Sequence, residues 1–205
     1  MISTAAKSLN YSYIEIDYLN LDVDEPNESN VFDTNFDNGG GFGIDASCKF
    51  NGNFFVYGSY SETEADFNFR DHTNAFVPGY TYVLFFNLGV GYILSMSERS
   101  DIVLRAGYAD IKFNDFDSGT TNDPDVNDFR DDPSDGYTLD AKLRSQLTDN
   151  IETSIGLRYL DIEDIGGISL IANVMYEFNQ NCGLNVNLDA GDELMVWRLG
   201  VRYSF

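Results

Sequence analysis

Apolar and polar residues alternate with a period of two along most of this sequence. The last nine residues show the alternation most clearly, because every second position is apolar: Trp197, Leu199, Val201, Tyr203 and Phe205. Arginine, glycine and serine occupy the positions between them. Successive side chains of a β-strand point to opposite faces, so this spacing predicts a strand with one apolar and one polar face.

The alternation recurs along the chain and predicts ten strands. They cover residues 13–18, 42–50, 54–61, 82–92, 102–109, 137–144, 151–159, 168–178, 183–188 and 197–205. Asn51-Gly52, between the second and third strands, is a residue pair typical of a tight hairpin turn. The third strand carries aromatic residues at both sets of positions, so the pattern leaves its facing open.

The connections between these strands alternate in length. Long acidic segments at 19–40, 63–79 and 114–135 follow the first, third and fifth strands, whereas short turns at 51–52, 95–100, 148–150 and 179–181 follow even-numbered ones. Long loops at one end and short turns at the other are typical of an outer-membrane barrel, in which the turns are periplasmic. With ten strands, both termini fall at the turn end.

Charged residues on the strands mostly occupy the positions opposite the apolar set. If the apolar set faces lipid, these side chains line a lumen: Glu15, Asp17, Asp45, Lys49, Arg105, Asp140, Lys142, Arg144, Glu152, Arg158, Arg198 and Arg202. A soluble β-barrel would instead expose its charged face to water. Most of the acidic excess lies in the connections, which favours the membrane barrel. Such a sheet must close on itself, because lipid cannot hydrogen-bond a free strand edge.

Composition narrows the alternatives further. The chain has 205 residues, with 34 acids against 12 bases and a net charge of −22, which argues against a nucleic-acid partner. A membrane-spanning helix needs about 18 consecutive apolar residues, and the sequence has no such run. Cys48 and Cys182 fall on the lipid side of the second and ninth strands. Two strands separate them, so we expect two free thiols.

Several short motifs give the chain a family resemblance. Tyr203-Ser-Phe205 ends an alternation that reaches back to Trp197. Four further segments combine glycine with an aromatic residue one to three positions later: 58–63, 89–92, 105–108 and 156–159. In these features the chain resembles the small bacterial outer-membrane β-barrels that include OmpA-type and opacity-type proteins.

The resemblance implies an antiparallel up-and-down transmembrane β-barrel in the outer membrane of a Gram-negative cell. It also implies contact with lipid and lipopolysaccharide, and recognition of the C-terminal alternation by the barrel-assembly machinery. Ten strands follow from the alternation, and eight are the alternative because eight is commoner among the smallest members. We expect a monomer.

The acidic segment at 114–135 is a candidate cation-binding region. Its start resembles a calcium loop, but Asp128 stands where the sharp-turn glycine belongs and Ser134 where the bidentate glutamate belongs. We therefore expect no dedicated cofactor, and at most weak binding of divalent cations by Asp123, Asp125, Asp128, Asp131 and Asp132.

Three functions follow, in order of preference. The first is a non-enzymatic structural or surface-interaction role through the acidic loops. The second is a narrow channel for ions or small solutes, lined by the charged set and by glycines: Gly43, Gly89, Gly91, Gly107, Gly156 and Gly200. The third is a hydrolase at the rim that would use the Asp71-His72 pair.

Overall fold

The computed structural model describes residues 9–23, 35–36, 39–70, 76–117, 134–162, 165–191 and 194–205. Their regular structure is entirely β: β1 (Tyr13–Val23), β2 (Asn35–Phe36), β3 (Gly39–Asn51), β4 (Phe54–Arg70), β5 (Phe76–Ser97), β6 (Ser100–Asp117), β7 (Ser134–Gln146), β8 (Ile151–Ile162), β9 (Ile165–Glu177), β10 (Cys182–Ala190) and β11 (Leu194–Ser204). Within these ranges, no helix is long and apolar enough to cross a membrane.

Ten of these strands form a closed antiparallel barrel. Each pairs with its neighbours in sequence, β1 pairs with β11, and the β4–β5 pairing completes the ring. The two-residue β2 pairs with the end of β4. The predicted up-and-down barrel of ten strands is therefore confirmed, and the eight-stranded alternative is wrong.

The strands are staggered as they pass around the ring. Followed across all ten interfaces, the registers give a stagger of about 12 residues, which tilts the strands by roughly 40° from the barrel axis. That tilt lies in the range of transmembrane barrels.

Apolar side chains face outward and polar side chains face inward. On β1, Ile16 is 62% exposed, whereas the next residue, Asp17, is 1% exposed. On β4, Phe54 is 48% exposed and Phe55 is 3% exposed, which settles the facing that the sequence left open. The outer surface carries apolar side chains on every long strand, among them Ile44, Leu88, Leu104, Leu139, Leu157, Val174, Val186 and Val201.

β4, β5 and β6 are longer than the alternation predicted. They have 17, 22 and 18 residues, so much of the predicted loop at 63–79 is paired strand. The prediction ended each strand where its apolar set ended. Hydrogen bonding between neighbouring strands does not need a lipid-facing side, and on β4 it continues past the exposed Glu62 and Glu64.

Side chains and one glycine stabilise the short turns. Thr148 Oγ1 accepts hydrogen bonds from the backbone of Asn150 and Ile151, at 3.3 and 3.0 Å. Gly52 has φ of +52°, a conformation that favours glycine. Both cysteines are free thiols, as predicted; they lie on β3 and β10, with β1 and β11 between them.

Candidate functional site: the barrel lumen

Apolar and aromatic residues fill the lumen at the turn end. Phe55, Ile93 and Val103 are buried there against Tyr11, which precedes β1 and enters the lumen. The Tyr11 hydroxyl donates a 2.8 Å hydrogen bond to Asp101 Oδ2, and its carbonyl accepts one of 2.8 Å from Ser47 Oγ. Burial raises the pKa of Tyr11 above its ordinary value, so its hydroxyl stays protonated.

A buried ion pair lies beside this apolar layer. Arg144 Nε and one of its terminal nitrogens donate to the two carboxylate oxygens of Glu152, at 2.5 and 2.9 Å. Their side chains are 6% and 3% exposed, and the Arg144 guanidinium lies 4.5 Å from the centre of the Tyr11 ring. The two-point geometry satisfies both charges and holds Tyr11 in place.

A second charged cluster surrounds Glu15. Arg202 Nε donates to it at 2.6 Å, and the amides of Asn185 and Asn187 donate at 2.5 and 3.2 Å. The Arg202 guanidinium also lies over the Tyr13 ring at 3.9 Å. Glu15 is therefore paired and fully hydrogen-bonded, as a buried carboxylate must be.

The third cluster joins four strands. Arg105 and Arg158 both donate to Asp140, which is their partner in the register of β6, β7 and β8. Arg158 also contacts Asp189 on β10. The Arg158 and Asp189 side chains are 25% and 26% exposed, against 2% for Asp140, so this cluster borders open space.

That space is a cavity of about 120 Å³ in the middle of the lumen. Six basic side chains line it, half of the 12 bases in the chain: Arg105, Lys142, Arg144, Arg158, Arg198 and Arg202. Five acids line it, each paired with at least one arginine: Glu15, Asp45, Asp140, Glu152 and Asp189. The lining therefore has one base more than it has acids.

Aromatic side chains cover several glycines that were predicted to line a channel. The Phe55 ring lies over Gly91, and the Tyr57 ring lies over Gly89 and reaches Gly107. Tyr57 is held by Arg105, whose guanidinium is 4.6 Å from the ring centre. These glycines make room for the rings and so help to fill the lumen.

The structure places most of the predicted lumenal charges inside the barrel. Lys49 differs, because it lies close to the Asn51-Gly52 turn and its side chain is exposed to solvent. Asp17 faces inward but is fully buried, and neither of its carboxylate oxygens has a hydrogen-bond partner. The candidate cation ligands at 123–132 and the Asp71-His72 pair lie outside the described residues. Among the described residues, no group of three His, Cys, Asp or Glu side chains is arranged to hold a metal ion.

Sequence reasoning missed two parts of the lumen. Tyr11 lies before the first strand, where alternation gives no signal. An inward apolar cluster occupies one wall towards the loop end: Val83, Phe85, Ala109, Ile111, Leu160 and Ile162. The run Tyr82–Phe86, which is apolar on both faces, could have indicated it.

Comparisons with known proteins agree with this architecture. A family model described as outer membrane protein beta-barrel domain matches residues 1–205. No curated protein matches the sequence.

Solved structures that resemble this chain include three outer-membrane proteins. OprG from Pseudomonas aeruginosa superposes with a TM-score of 0.54 at 13% identity, covering 97% of this chain and 98% of OprG. The KdgM porin in complex with disordered oligogalacturonate gives 0.50 at 14% identity, with 93% and 99% covered. Ail of Yersinia pestis gives 0.41 at 17% identity, with 96% and 99% covered. At these identities, the likeness to OprG and to the KdgM porin concerns the fold alone.

Proposed function

We propose a surface role for this chain, which belongs to the outer membrane protein beta-barrel domain family and lies in the bacterial outer membrane. In this role the barrel anchors the chain, and the acidic segments at the loop end contact partners outside the cell. The filling of the lumen at the turn end is the observation that carries the proposal. Tyr11, Phe55, Ile93 and Val103 pack together where an open pore would need a water-filled path.

Conductance measurements test the closed lumen. The purified barrel is inserted into a planar lipid bilayer and recorded beside an unrelated general porin. We expect no reproducible single-channel steps from this protein under conditions in which the porin conducts. Regular steps of constant size would overturn the proposal of a closed barrel.

A binding assay tests the surface contact. The acidic segments favour a cationic partner, so fluorescent polylysine serves as the probe for the barrel in phospholipid nanodiscs. We expect the loop variant, in which Asp123, Asp125, Asp128, Asp131 and Asp132 are all changed to Asn, to bind at least three-fold more weakly. A control variant changes the exposed turn-end acids Glu98 and Asp149 to Gln and Asn. Equal weakening by both variants would show a general charge effect and contradict a loop contact.

A second candidate is an anion-selective pore that opens only under particular conditions. The concentration of bases around the cavity favours it, because a positive lining lowers the barrier for anions. Its signature would be voltage- or pH-triggered steps whose reversal potential in a salt gradient follows the chloride gradient. A cation-selective reversal potential would exclude this candidate.

The C-terminal alternation is also proposed as the assembly signal. The outer surface of β11 exposes Trp197, Leu199, Val201 and Tyr203, and Phe205 is exposed directly after the strand. We expect Phe205→Ala to lower the amount of barrel in the outer membrane several-fold. Phe178→Ala removes an equally exposed aromatic at the turn end of β9 and serves as the control. Equal losses would point to general destabilisation.

A further inference from the structure

Lys142 differs from every other base that lines the cavity. The five arginines each contact a carboxylate, but no carboxylate of the described chain lies within ion-pair distance of the Lys142 ammonium. The inward-facing Lys142 borders the cavity in the middle of β7. Burial without a counter-charge favours the neutral amine, so an anion in the space in front of Lys142 would stabilise the charged form.

The strand register explains why Lys142 has no partner. Its cross-strand neighbours are Val103 on β6 and Gly156 on β8, and neither can accept a hydrogen bond through a side chain. The carboxylate two positions away on the same strand, Asp140, already binds Arg105 and Arg158. Glu152 is held at two points by Arg144. The nearby acids are therefore engaged, and Lys142 is left facing the cavity.

Size and charge define the ligand. The one base without a carboxylate partner in the lining matches a monoanion, whereas a dianion would bring a second negative charge without a partner to the cavity. A cavity of about 150 Å³ accommodates a molecule the size of benzene, so the 120 Å³ cavity suits a body of a few carbon atoms. Chloride would leave most of that volume to water. A small monocarboxylate fits both conditions.

We propose that Lys142 is the anion-binding group of a lumenal site for a small monocarboxylate of acetate to lactate size. The carboxylate lies against the ammonium, and the short carbon chain occupies the cavity. Arg158 lies at the edge of the cavity, but Asp140 and Asp189 already engage it, so Lys142 is the anion-binding group. The site does not depend on whether the barrel conducts.

Nuclear magnetic resonance of methylated lysines tests the site. Reductive methylation with ¹³C-formaldehyde labels Lys7, Lys49, Lys112 and Lys142, the lysines of the chain, in the detergent-folded protein. Sodium acetate is then titrated against sodium chloride at equal ionic strength. We expect one resonance to shift saturably with acetate, with half-saturation at least ten-fold below that of any other lysine. Lys142→Arg should remove this resonance, whereas Lys112→Arg, at an exposed position, should leave it.

Three results would overturn the site. The first is a shift that stays linear in acetate, and the second is an equal shift at Lys49 and Lys112. The third is an identical half-saturation with chloride, since that would mean charge screening without recognition of a carboxylate. If Lys142→Arg does not refold, Lys142→Met assigns the resonance in the same way. The two proposals are tested separately. A barrel that does not conduct is compatible with the monocarboxylate site, and a missing acetate shift does not contradict the closed lumen.

Discussion

At the residue scale, almost every charged side chain in the lumen is paired with a side chain of opposite charge. Buried ions are costly unless they are paired and hydrogen-bonded, and the Glu15 and Glu152 clusters meet both conditions. Asp17 meets neither. It is 1% exposed, its carboxylate oxygens accept no hydrogen bond, and its neighbours on β1 and β3 include the carboxylates Glu15 and Asp45.

Asp17→Asn should therefore stabilise the barrel. The amide has the same shape, carries no charge and can donate a hydrogen bond to either neighbouring carboxylate. We expect the free energy of unfolding to rise by about 1–3 kcal/mol, the cost of an unsatisfied buried polar group. Urea titration in detergent, followed by the heat-dependent gel shift, measures the change. As a control, Asp45→Asn removes the partner of Arg198 and should not stabilise; a loss of stability in Asp17→Asn would contradict the argument.

Removing only one partner of the Arg144–Glu152 ion pair should instead destabilise the barrel. Glu152→Gln should lower the free energy of unfolding by about 3–5 kcal/mol, because it leaves a buried guanidinium uncompensated. The double variant Arg144→Met, Glu152→Leu should regain most of that loss, since it removes both charges. Chemical unfolding in detergent checks the three proteins. A double variant that is as unstable as Glu152→Gln would contradict this expectation and would mean that the intact ion pair itself stabilises the fold.

At the element scale, alternation was sufficient to predict the ten strands and their sidedness, but it could not predict the strand ends. Lipid requires outward apolar residues only within the hydrocarbon, and on β4 the outward positions after Tyr60 are Glu62 and Glu64, where the prediction ended the strand although pairing continues to Arg70. The sequence also could not predict which residues fill the lumen. Which residues meet across a barrel depends on the stagger of the strands, and Tyr11 enters the lumen from a segment that forms no strand.

A charged residue placed in the middle of the outer apolar surface tests whether that surface, the lipid-facing band, lies in hydrocarbon. Ile155 lies midway along the outer face of β8, 54% exposed, between Leu143 on β7 and Ala172 on β9. Ile155→Arg should lower the free energy of unfolding in lipid by about 2–4 kcal/mol. Leu147→Arg, at an equally exposed position in a turn, should cost at most about 1 kcal/mol. Equal costs, measured by urea unfolding in vesicles, would mean that the band does not lie in hydrocarbon.

At the scale of the whole molecule, charge is strongly segregated. The cavity takes six of the 12 bases and five of the 34 acids, which leaves six bases against 29 acids on the rest of the chain. Nearly all of the acidic excess therefore lies outside the cavity, where exposed acids such as Glu62, Glu64 and Glu98 make the surface negative. Anionic lipopolysaccharide surrounds such a surface in the outer membrane, so mobile cations must screen both. The five arginines that line the cavity cannot serve as the counter-charge, because carboxylates already engage them.

Divalent cations should consequently stabilise the folded barrel. If the acidic segments bind magnesium with a dissociation constant of about 1 mM, 10 mM magnesium adds about 1.4 kcal/mol to the free energy of unfolding. Unfolding in a zwitterionic detergent, with sodium chloride at matched ionic strength as the control, measures this increment without lipopolysaccharide. The loop variant with Asn at 123, 125, 128, 131 and 132 should lose at least half of it. Equal stabilisation by sodium chloride would show that general screening suffices, because a site formed by several carboxylates must prefer the divalent ion.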